Sequence, residues 1–263
     1  MNNNEIKQAN RKALPKFIFM MIIALLGGGV LGFCIASYDL NSLSGLMKRA
    51  AEYFGLNIAP WLMIAVAVVV LMICIPLYRS SKMLLSKWDG EEEELSDAIE
   101  EKLSAIMWVT GMGFILSFFL IAASYSTGFE AFEHKNSTLL LFVSIGGFFA
   151  IMIEAIIFQQ KCVDMVRKMN PEKDGSVYDL KFQKKWMDSC DEAEKIMVGK
   201  CSFKAYNATN ITCAILAIVL AICALTFGIG FLPSLVVCLI WAVNQCAYCR
   251  EAFKYSKAGN KIS

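Results

Sequence analysis

The chain has 263 residues, of which 57% are hydrophobic and 18% charged, with a net charge of +2. Soluble domains of this length carry about 25% charged residues and about half apolar ones, so this composition excludes an ordinary soluble enzyme and requires a second apolar environment. A single histidine also excludes His-based catalytic triads and metal sites built from several histidines.

Long runs without a charged residue alternate with blocks of charge. The runs 17–38, 53–78 and 103–129 hold 22, 26 and 27 residues, more than the roughly 20 that a helix needs to cross a bilayer. The run 136–153 adds 18, and its apolar pattern continues past Glu154 to Phe158. These four runs predict four membrane-spanning helices.

The last run, 205–249, holds 45 uncharged residues. As one helix it would be about 68 Å long, at about 1.5 Å per residue, and a bilayer accommodates about half of that. Two glycines and a proline at 228–233 predict a break there. The sequence therefore predicts an all-α polytopic membrane protein with six spans, at about 17–38, 57–78, 104–125, 138–159, 208–228 and 232–249. Runs this long that do not alternate exclude a barrel.

The basic residues predict the orientation. With the N-terminus inside, the inner segments 1–16, 79–103, 160–207 and 250–263 hold 22 Lys and Arg, and the outer loops hold three. This asymmetry places both termini in the cytoplasm and predicts three helical hairpins. The first span is interpreted as a retained anchor rather than a cleaved signal peptide, since its apolar stretch exceeds the usual 7–15 residues.

The ten cysteines avoid the predicted outer loops, so free thiols are expected rather than disulfides. Cys246 and Cys249 form a C-x-x-C pair, but a zinc site needs more ligands, and the only histidine, His134, is predicted on the opposite side of the membrane.

The first large inner segment contains Trp88, Asp89 and an acidic run from Glu91 to Glu94. Asp89 is a candidate N-cap, and glutamates in a first turn complement the helix dipole. The helix is expected to continue into the third span. Oxygen ligands for a divalent cation are an alternative use of the acidic run, although no known loop spacing matches.

In the second large inner segment, turn signals at 170–175 precede a helix predicted to begin near Asp179. Its narrow apolar stripe consists of Phe182, Trp186, Cys190, Ala193 and Met197. This helix is expected to pack on the ends of the spans, or alternatively to lie on the inner leaflet. The candidate docking residues of the two segments are Trp88, Asp89, Glu91, Phe182, Trp186, Asp191 and Glu192.

The residues that carry a resemblance to a known family lie in the two inner segments. They are Trp88-Asp89-Gly90-Glu91 in the first, and Asn170-Pro171-Glu172-Lys173, Val177-Tyr178-Asp179, Lys181-Phe182, Lys184-Lys185-Trp186 and Ser189-Cys190-Asp191-Glu192-Ala193-Glu194 in the second. The chain resembles an uncharacterised family of small multi-span membrane proteins from Gram-positive bacteria, a domain of unknown function. The resemblance implies a bacterial plasma membrane location and supplies no activity or catalytic residue.

One ionisable residue lies inside a predicted span. Glu154 is about 7.5 Å from the inner end of the fourth span, at about 1.5 Å per residue, and Asn244, Gln245 and Thr110 are predicted at a similar depth. Such a residue indicates a functional site by default. Two interpretations remain: a proton or cation site facing a cytoplasmic vestibule, or a carboxyl that hydrogen-bonds a neighbouring helix as structural glue.

Glycines recur in the spans and are expected to let helices approach closely. They are Gly27, Gly28, Gly29, Gly32, Gly111, Gly113, Gly146, Gly147, Gly228 and Gly230. No phosphate-binding loop, Ser/His/Asp set or zinc-protease motif is present, so we expect neither an enzyme nor a bound cofactor or metal.

Two classes of function remain from the sequence. The first is a transport component, either a small permease or the membrane partner of a separate ATPase. The second is a non-transporting accessory or sensor protein that acts through its cytoplasmic segments on a regulator or on its own copy. Both place the chain in the lipid bilayer, a homo-oligomer is possible in either, and neither involves nucleic acid.

Overall fold

The fold is taken from a computed structural model, which describes residues 14–16, 18–23, 26, 27, 30, 41–126, 135–227 and 229–257. The chain divides into two compact units. The central unit is Met47–Ala205, and the terminal unit combines Met1–Leu46 with Tyr206–Ser263. Each unit is described by itself.

The described residues form helices and connecting turns, with no strand among them. In chain order the helices are α1 (Asn41–Tyr53), a π-helical turn (Phe54–Ile58), α2 (Ala59–Leu85), α3 (Glu93–Ser124), α4 (Lys135–Met169), α5 (Phe182–Asp188), α6 (Glu192–Phe227) and α7 (Leu232–Lys257). The all-helical fold predicted from the charge-free runs is confirmed for this part of the chain.

Five helices of the described part are long and apolar enough to cross a membrane. Each covers one of the last five predicted spans, matching it to within three residues at one end and extending 7–16 residues beyond it at the end that the basic residues predict to be cytoplasmic. The predicted break in the 45-residue run is confirmed, because α6 ends at Phe227 and α7 begins at Leu232, with Gly230 at a φ of +72° between them. The first predicted span, 17–38, lies mostly outside the described residues.

Helices α2, α3 and α4 pack together in the central unit around two apolar clusters. The first lies toward the ends that the basic residues predict to be cytoplasmic, and consists of Val70, Cys74, Ile99, Leu103, Ile106, Phe158, Cys162, Met165 and Met169. The second consists of Ala59, Met63, Ala67, Leu120 and Ile151. In lipid, close packing of this kind holds helices together, because the surrounding solvent is as apolar as the helices themselves.

Glycines allow close approach at three points of this bundle. A Cβ atom added to Gly55 would lie 2.1 Å from the carbonyl oxygen of Ala123, one on Gly113 would lie 2.9 Å from Val70, and one on Gly147 would lie 2.6 Å from Met63. Gly111 and Gly146 have nothing within 4 Å. Each predicted glycine pair of α3 and α4 therefore contributes one contact glycine and one that faces open space.

The start of α3 differs from the prediction. Asp89 does not cap the helix: its Oδ1 accepts hydrogen bonds from the backbone N of Glu91 (3.0 Å) and of Glu92 (3.2 Å), and α3 begins four residues later at Glu93. Gly90, with a φ of +98°, gives the turn its shape. The bond from Glu91, followed by that from Glu92, lowers the pKa of Asp89, because a carboxylate that accepts backbone N–H bonds is favoured in its charged form. The acidic first turn and the continuation into the third span are as predicted.

The second inner segment also differs from the prediction. The single helix expected from Asp179 is two helices, α5 and α6, separated at Ser189–Asp191. The Oδ1 of Asp179 accepts from the backbone N of Lys181 (2.9 Å), and its Oδ2 binds the Lys185 ammonium at 2.7 Å; the bond from Lys185 comes first among the causes that lower the pKa of Asp179. This turn delays α5 to Phe182. Because the helix is interrupted at 189–191, the predicted stripe is divided: Phe182 and Trp186 lie on α5, Cys190 in the connection, and Ala193 and Met197 on α6.

Candidate functional site

A cavity of about 460 Å³ lies where α3, α4 and residues 170–194 meet. We call residues 170–191, which close it from one side, the cap segment. The apolar side chains of the lining are Leu103, Met107, Cys162, Val163, Val166, Phe182 and Trp186, and the polar ones are Glu100, Ser104, Asn170, Lys173 and Glu194. Its size and its mostly apolar lining with a few polar groups are typical of sites for small ligands.

Gln160 of α4 holds the cap segment against the bundle. Its Oε1 accepts hydrogen bonds from Ser176 Oγ (3.0 Å) and from the backbone N of Val177 (2.8 Å), and its Nε2 donates to Asp164 Oδ1 at 2.8 Å. One side chain thus orders a turn 16 residues away. The role of Gln160 is not predictable from the sequence, because a glutamine at the end of a span has no local pattern that indicates its partner.

We expect Gln160→Ala to loosen the cap segment without unfolding the bundle. Two hydrogen bonds of about 1 kcal/mol each are lost, so amide hydrogen exchange at Val177 and its neighbours should accelerate by at least about ten-fold. Gln159→Ala is the matched control, since the side chain of the neighbouring Gln159 makes no hydrogen bond among the described residues. Equal exchange in both variants would show that other contacts hold the segment.

Lys173 is the buried charge of this site, with 3% of its side chain exposed. Its ammonium binds the carboxylate of Glu194 at the start of α6 and lies 5.9 Å from the centre of the Trp186 ring. Burial lowers the pKa of Lys173, but the hydrogen bond and charge of Glu194 outweigh it and leave the pKa raised. Lys173 therefore stays charged and joins the cap segment to α6.

Asp191 and Glu194 begin α6 as a reciprocal capping pair. The backbone N of Glu194 donates to Asp191 Oδ1 at 2.7 Å, and the backbone N of Asp191 donates to Glu194 Oε2 at 2.9 Å. This is a capping box with aspartate at the N-cap, and it explains why the chain stops α5 and starts a new helix. The same Glu194 oxygen that completes the box binds Lys173.

The predicted docking residues have distinct positions. Phe182 and Trp186 line the cavity, with ring centres 5.6 Å apart. Trp88 packs against the first apolar cluster, and its Nε1 donates to the carbonyl of Glu92 at 3.1 Å. Asp89 and Asp191 form the turn and the cap described above, and Glu91 and Glu192 are exposed. The large apolar side chains that the cap segment exposes are instead Tyr178, Leu180 and Met187.

Glu154 lies inside the bundle on α4. Its Oε2 is shielded from solvent and has no hydrogen-bond partner among the described residues. Cys74 of α2 and Cys162, which lines the cavity, belong to the same apolar cluster. Phe158 of that cluster lies one turn from Glu154 on α4.

The other three candidates of the predicted polar layer have partners. Thr110 is buried, and its hydroxyl donates within its own helix to the carbonyls of Ile106 (2.9 Å) and Met107 (3.1 Å). Asn244 and Gln245 belong to the terminal unit and join α7 to α6. There Asn210 Oδ1 accepts from Trp241 Nε1 at 3.0 Å, from Asn244 Nδ2 at 3.2 Å and from Gln245 Nε2 at 3.5 Å.

This Asn210-centred group also includes Tyr206, whose hydroxyl donates to Gln245 and whose ring stacks on Tyr248 at 4.6 Å. Asn210 and Trp241 were not predicted as partners of Asn244 and Gln245. The readable signal was a side chain with a polar group on successive turns of each helix, because interhelical hydrogen bonds of this kind join helices in lipid.

Among the described residues, no group of three or more His, Cys, Asp or Glu side chains is arranged to hold a metal ion. Cys246 and Cys249 are free and exposed.

The profile of a family described as a protein of unknown function, DUF3169, matches residues 11–252. Comparison with curated proteins gives no match, and comparison with solved structures gives none. The match spans both the membrane helices and the cap segment. The chain therefore belongs to the DUF3169 family, whose function is unknown.

Proposed function

We propose that this protein is a transport component, a small permease in the plasma membrane of a Gram-positive bacterium. The proposed topology has six spans, both termini in the cytoplasm and the cap segment on the cytoplasmic side. Its support is the 22 to 3 distribution of basic residues, the five long apolar helices and the resemblance carried by the inner segments. The protein works as a permease without enzymatic chemistry of its own.

The main support for the proposal is the buried carboxyl oxygen of Glu154, which has no partner in the described part of the chain. An ionisable group within a membrane bundle is costly to keep and marks ion pathways and proton relays. A buried carboxyl oxygen without a partner costs several kcal/mol in an apolar surround, on the order of 2–7 kcal/mol. Binding and releasing a proton or a small cation gives this oxygen a partner during a transport cycle.

The cavity provides the solute-binding site that such a transport cycle also needs. It lies at the end of α3 and α4 that is cytoplasmic in the proposed topology. Cys162 of its wall belongs to the first apolar cluster with Cys74 of α2 and with Phe158, which is one turn from both Glu154 and Cys162 on α4. A solute in the cavity and an ion at Glu154 are thereby coupled through the packing of α2 against α4.

Charge movement on solute addition tests the proposal. The purified chain is reconstituted alone in liposomes on a solid-supported membrane, and small amphiphilic cations, anions and neutral solutes are added in concentration jumps. We expect at least one class to produce a transient current with the native chain and no current with Glu154→Gln, which keeps the shape of the side chain and removes its proton exchange. Glu172→Gln, an exposed change on the cap segment, is the control and should keep the current.

A current that persists unchanged in Glu154→Gln would contradict the proposal. So would the absence of any current from well-inserted native protein.

A second candidate is favoured by the outward-facing Tyr178, Leu180 and Met187 of the cap segment, which are 69%, 106% and 36% exposed. Such a surface suits a protein partner, as in a membrane subunit of a separate ATPase or a non-transporting accessory or sensor protein. Copurification from mild detergent distinguishes an ATPase subunit from an accessory or sensor protein, and both from the permease. Recovery of an ATPase supports the first, recovery of a regulator supports the second, and a clean homo-oligomer without either favours the permease.

A further inference from the structure

The side chains that line the cavity under the cap segment carry a net negative charge. Its lining includes two carboxylates, Glu100 and Glu194, and one ammonium, Lys173. Lys173 is bound to Glu194 and almost fully buried, so these two charges neutralise each other. Glu100 is exposed and forms no ion pair in the described structure. The cavity therefore offers an entering molecule one unpaired negative charge.

Two aromatic rings and several apolar side chains line the same cavity. Phe182 and Trp186 of α5 are tilted at 45° to each other, and Leu103 and Met107 of α3 line the cavity with them. The rings offer apolar surface rather than a site for a charge, because the Lys173 ammonium already lies 5.9 Å from the centre of the Trp186 ring. A molecule with an apolar body and a positive charge therefore meets apolar surface at the rings and a carboxylate at Glu100.

We propose that this cavity binds amphiphilic organic cations, with the positive charge near Glu100 and the apolar body between the α5 aromatics and α3. An organic anion of the same shape meets Glu100 and Glu194 and finds the one ammonium already occupied. If the protein is the permease proposed above, these cations are the class of solute that it transports, and this part of the proposal rests on that function. Binding by itself is measurable without transport.

Equilibrium binding to the full chain in lipid nanodiscs tests the inference. The probe is radiolabelled tetraphenylphosphonium, and tetraphenylborate, which has the same shape and the opposite charge, is the matched anion. We expect saturable binding of the phosphonium and, after subtraction of partition into protein-free nanodiscs, no saturable binding of the borate.

Two variants locate the site. Glu100→Gln changes an exposed side chain and should weaken phosphonium binding by about five-fold, the value of one partly screened charge contact. Glu101→Gln, the adjacent carboxylate outside the cavity lining, should leave binding unchanged. Ser104→Trp places a ring in the cavity and should abolish saturable binding. Circular dichroism and gel filtration confirm that each variant is folded.

Equal saturable binding of the borate would overturn the inference and identify the cavity as a site for lipid chains of either charge. Absence of saturable phosphonium binding, or binding unaffected by Glu100→Gln, would also overturn it. The proposed permease function is tested separately, because Glu154→Gln should keep phosphonium binding and lose the solute-driven current. A current that needs Glu154 in a chain that does not bind the phosphonium would leave the permease standing and reject this ligand class.

Discussion

Glu194→Gln is expected to lower the free energy of unfolding of the central unit by about 2–4 kcal/mol. The amide keeps an acceptor for the capping box but leaves the Lys173 ammonium, 3% exposed, without a counter-charge. Removing one partner of a buried ion pair costs about 3–5 kcal/mol, and the 33% exposure of Glu194 lowers this figure through solvent screening. Denaturant unfolding followed by tryptophan fluorescence measures the loss.

Glu192→Gln is the matched control, an exposed carboxylate in the same first turn whose loss should change stability by less than about 0.5 kcal/mol. Adding Lys173→Met to Glu194→Gln removes the stranded charge and should recover part of the loss, as an apolar replacement of a buried pair commonly does. No recovery in the double variant would mean that the capping contacts, rather than the ion pair, stabilise the site.

The same ion pair predicts a pH dependence. The pKa of Lys173 is raised above its ordinary value of 10.5, so the folded state holds this proton more tightly than the unfolded state does. The stabilisation is fully present below that ordinary value and is lost as pH rises through the higher folded value. The native chain should therefore lose stability in this alkaline window relative to the Glu194→Gln variant, and parallel curves would contradict the pairing.

Gly55→Ala is expected to destabilise the central unit by about 2 kcal/mol or more. The added methyl would lie 2.1 Å from the carbonyl oxygen of Ala123, a backbone atom that no rotamer change removes. Overpacking of this kind costs about 1–3 kcal/mol, occasionally more, and exceeds the gain of about 1 kcal/mol in helix propensity. Unfolding in mixed micelles by increasing the SDS fraction measures the difference.

Gly111→Ala gives the comparison for Gly55, because nothing lies within 4 Å of its added methyl. This change should be neutral or stabilising by up to about 1 kcal/mol. Similar losses in both variants would show that the π-helical turn does not pack on α3 as closely as described.

The parts of the fold that the sequence predicts are those marked by the presence or absence of charged residues, because charged side chains stay in water and are largely excluded from lipid. Charge-free runs located the five described long helices, and Gly230 with Pro233 located the break between α6 and α7. The face of each helix that meets its neighbours was not predictable in this way. Lipid is as apolar as leucine, so nothing in the pattern distinguishes Gly113 and Gly147, which touch α2, from Gly111 and Gly146, which do not.

In the two charged segments, the predicted helix starts are wrong where a side chain accepts hydrogen bonds from the backbone. Asp89 and Asp179 each make a turn, so that the helix begins a few residues later. Asp191 and Glu194 formed a readable capping pattern that divides the predicted helix. The pairing of Lys173 with Glu194, 21 residues apart, and of Gln160 with Ser176 had no local signal, because both depend on how the cap segment returns to α4.

Proton exchange by Glu154 distinguishes a role in transport from a fixed neutral link between helices. Infrared difference spectra of the chain in lipid, recorded across a range from acidic to alkaline pH, test it directly when the native chain is compared with Glu154→Gln. We predict a protonated-carboxyl band that disappears as pH rises and is missing from the variant. A band that stays constant with pH in the native chain, or spectra that are the same for both chains, would contradict the account.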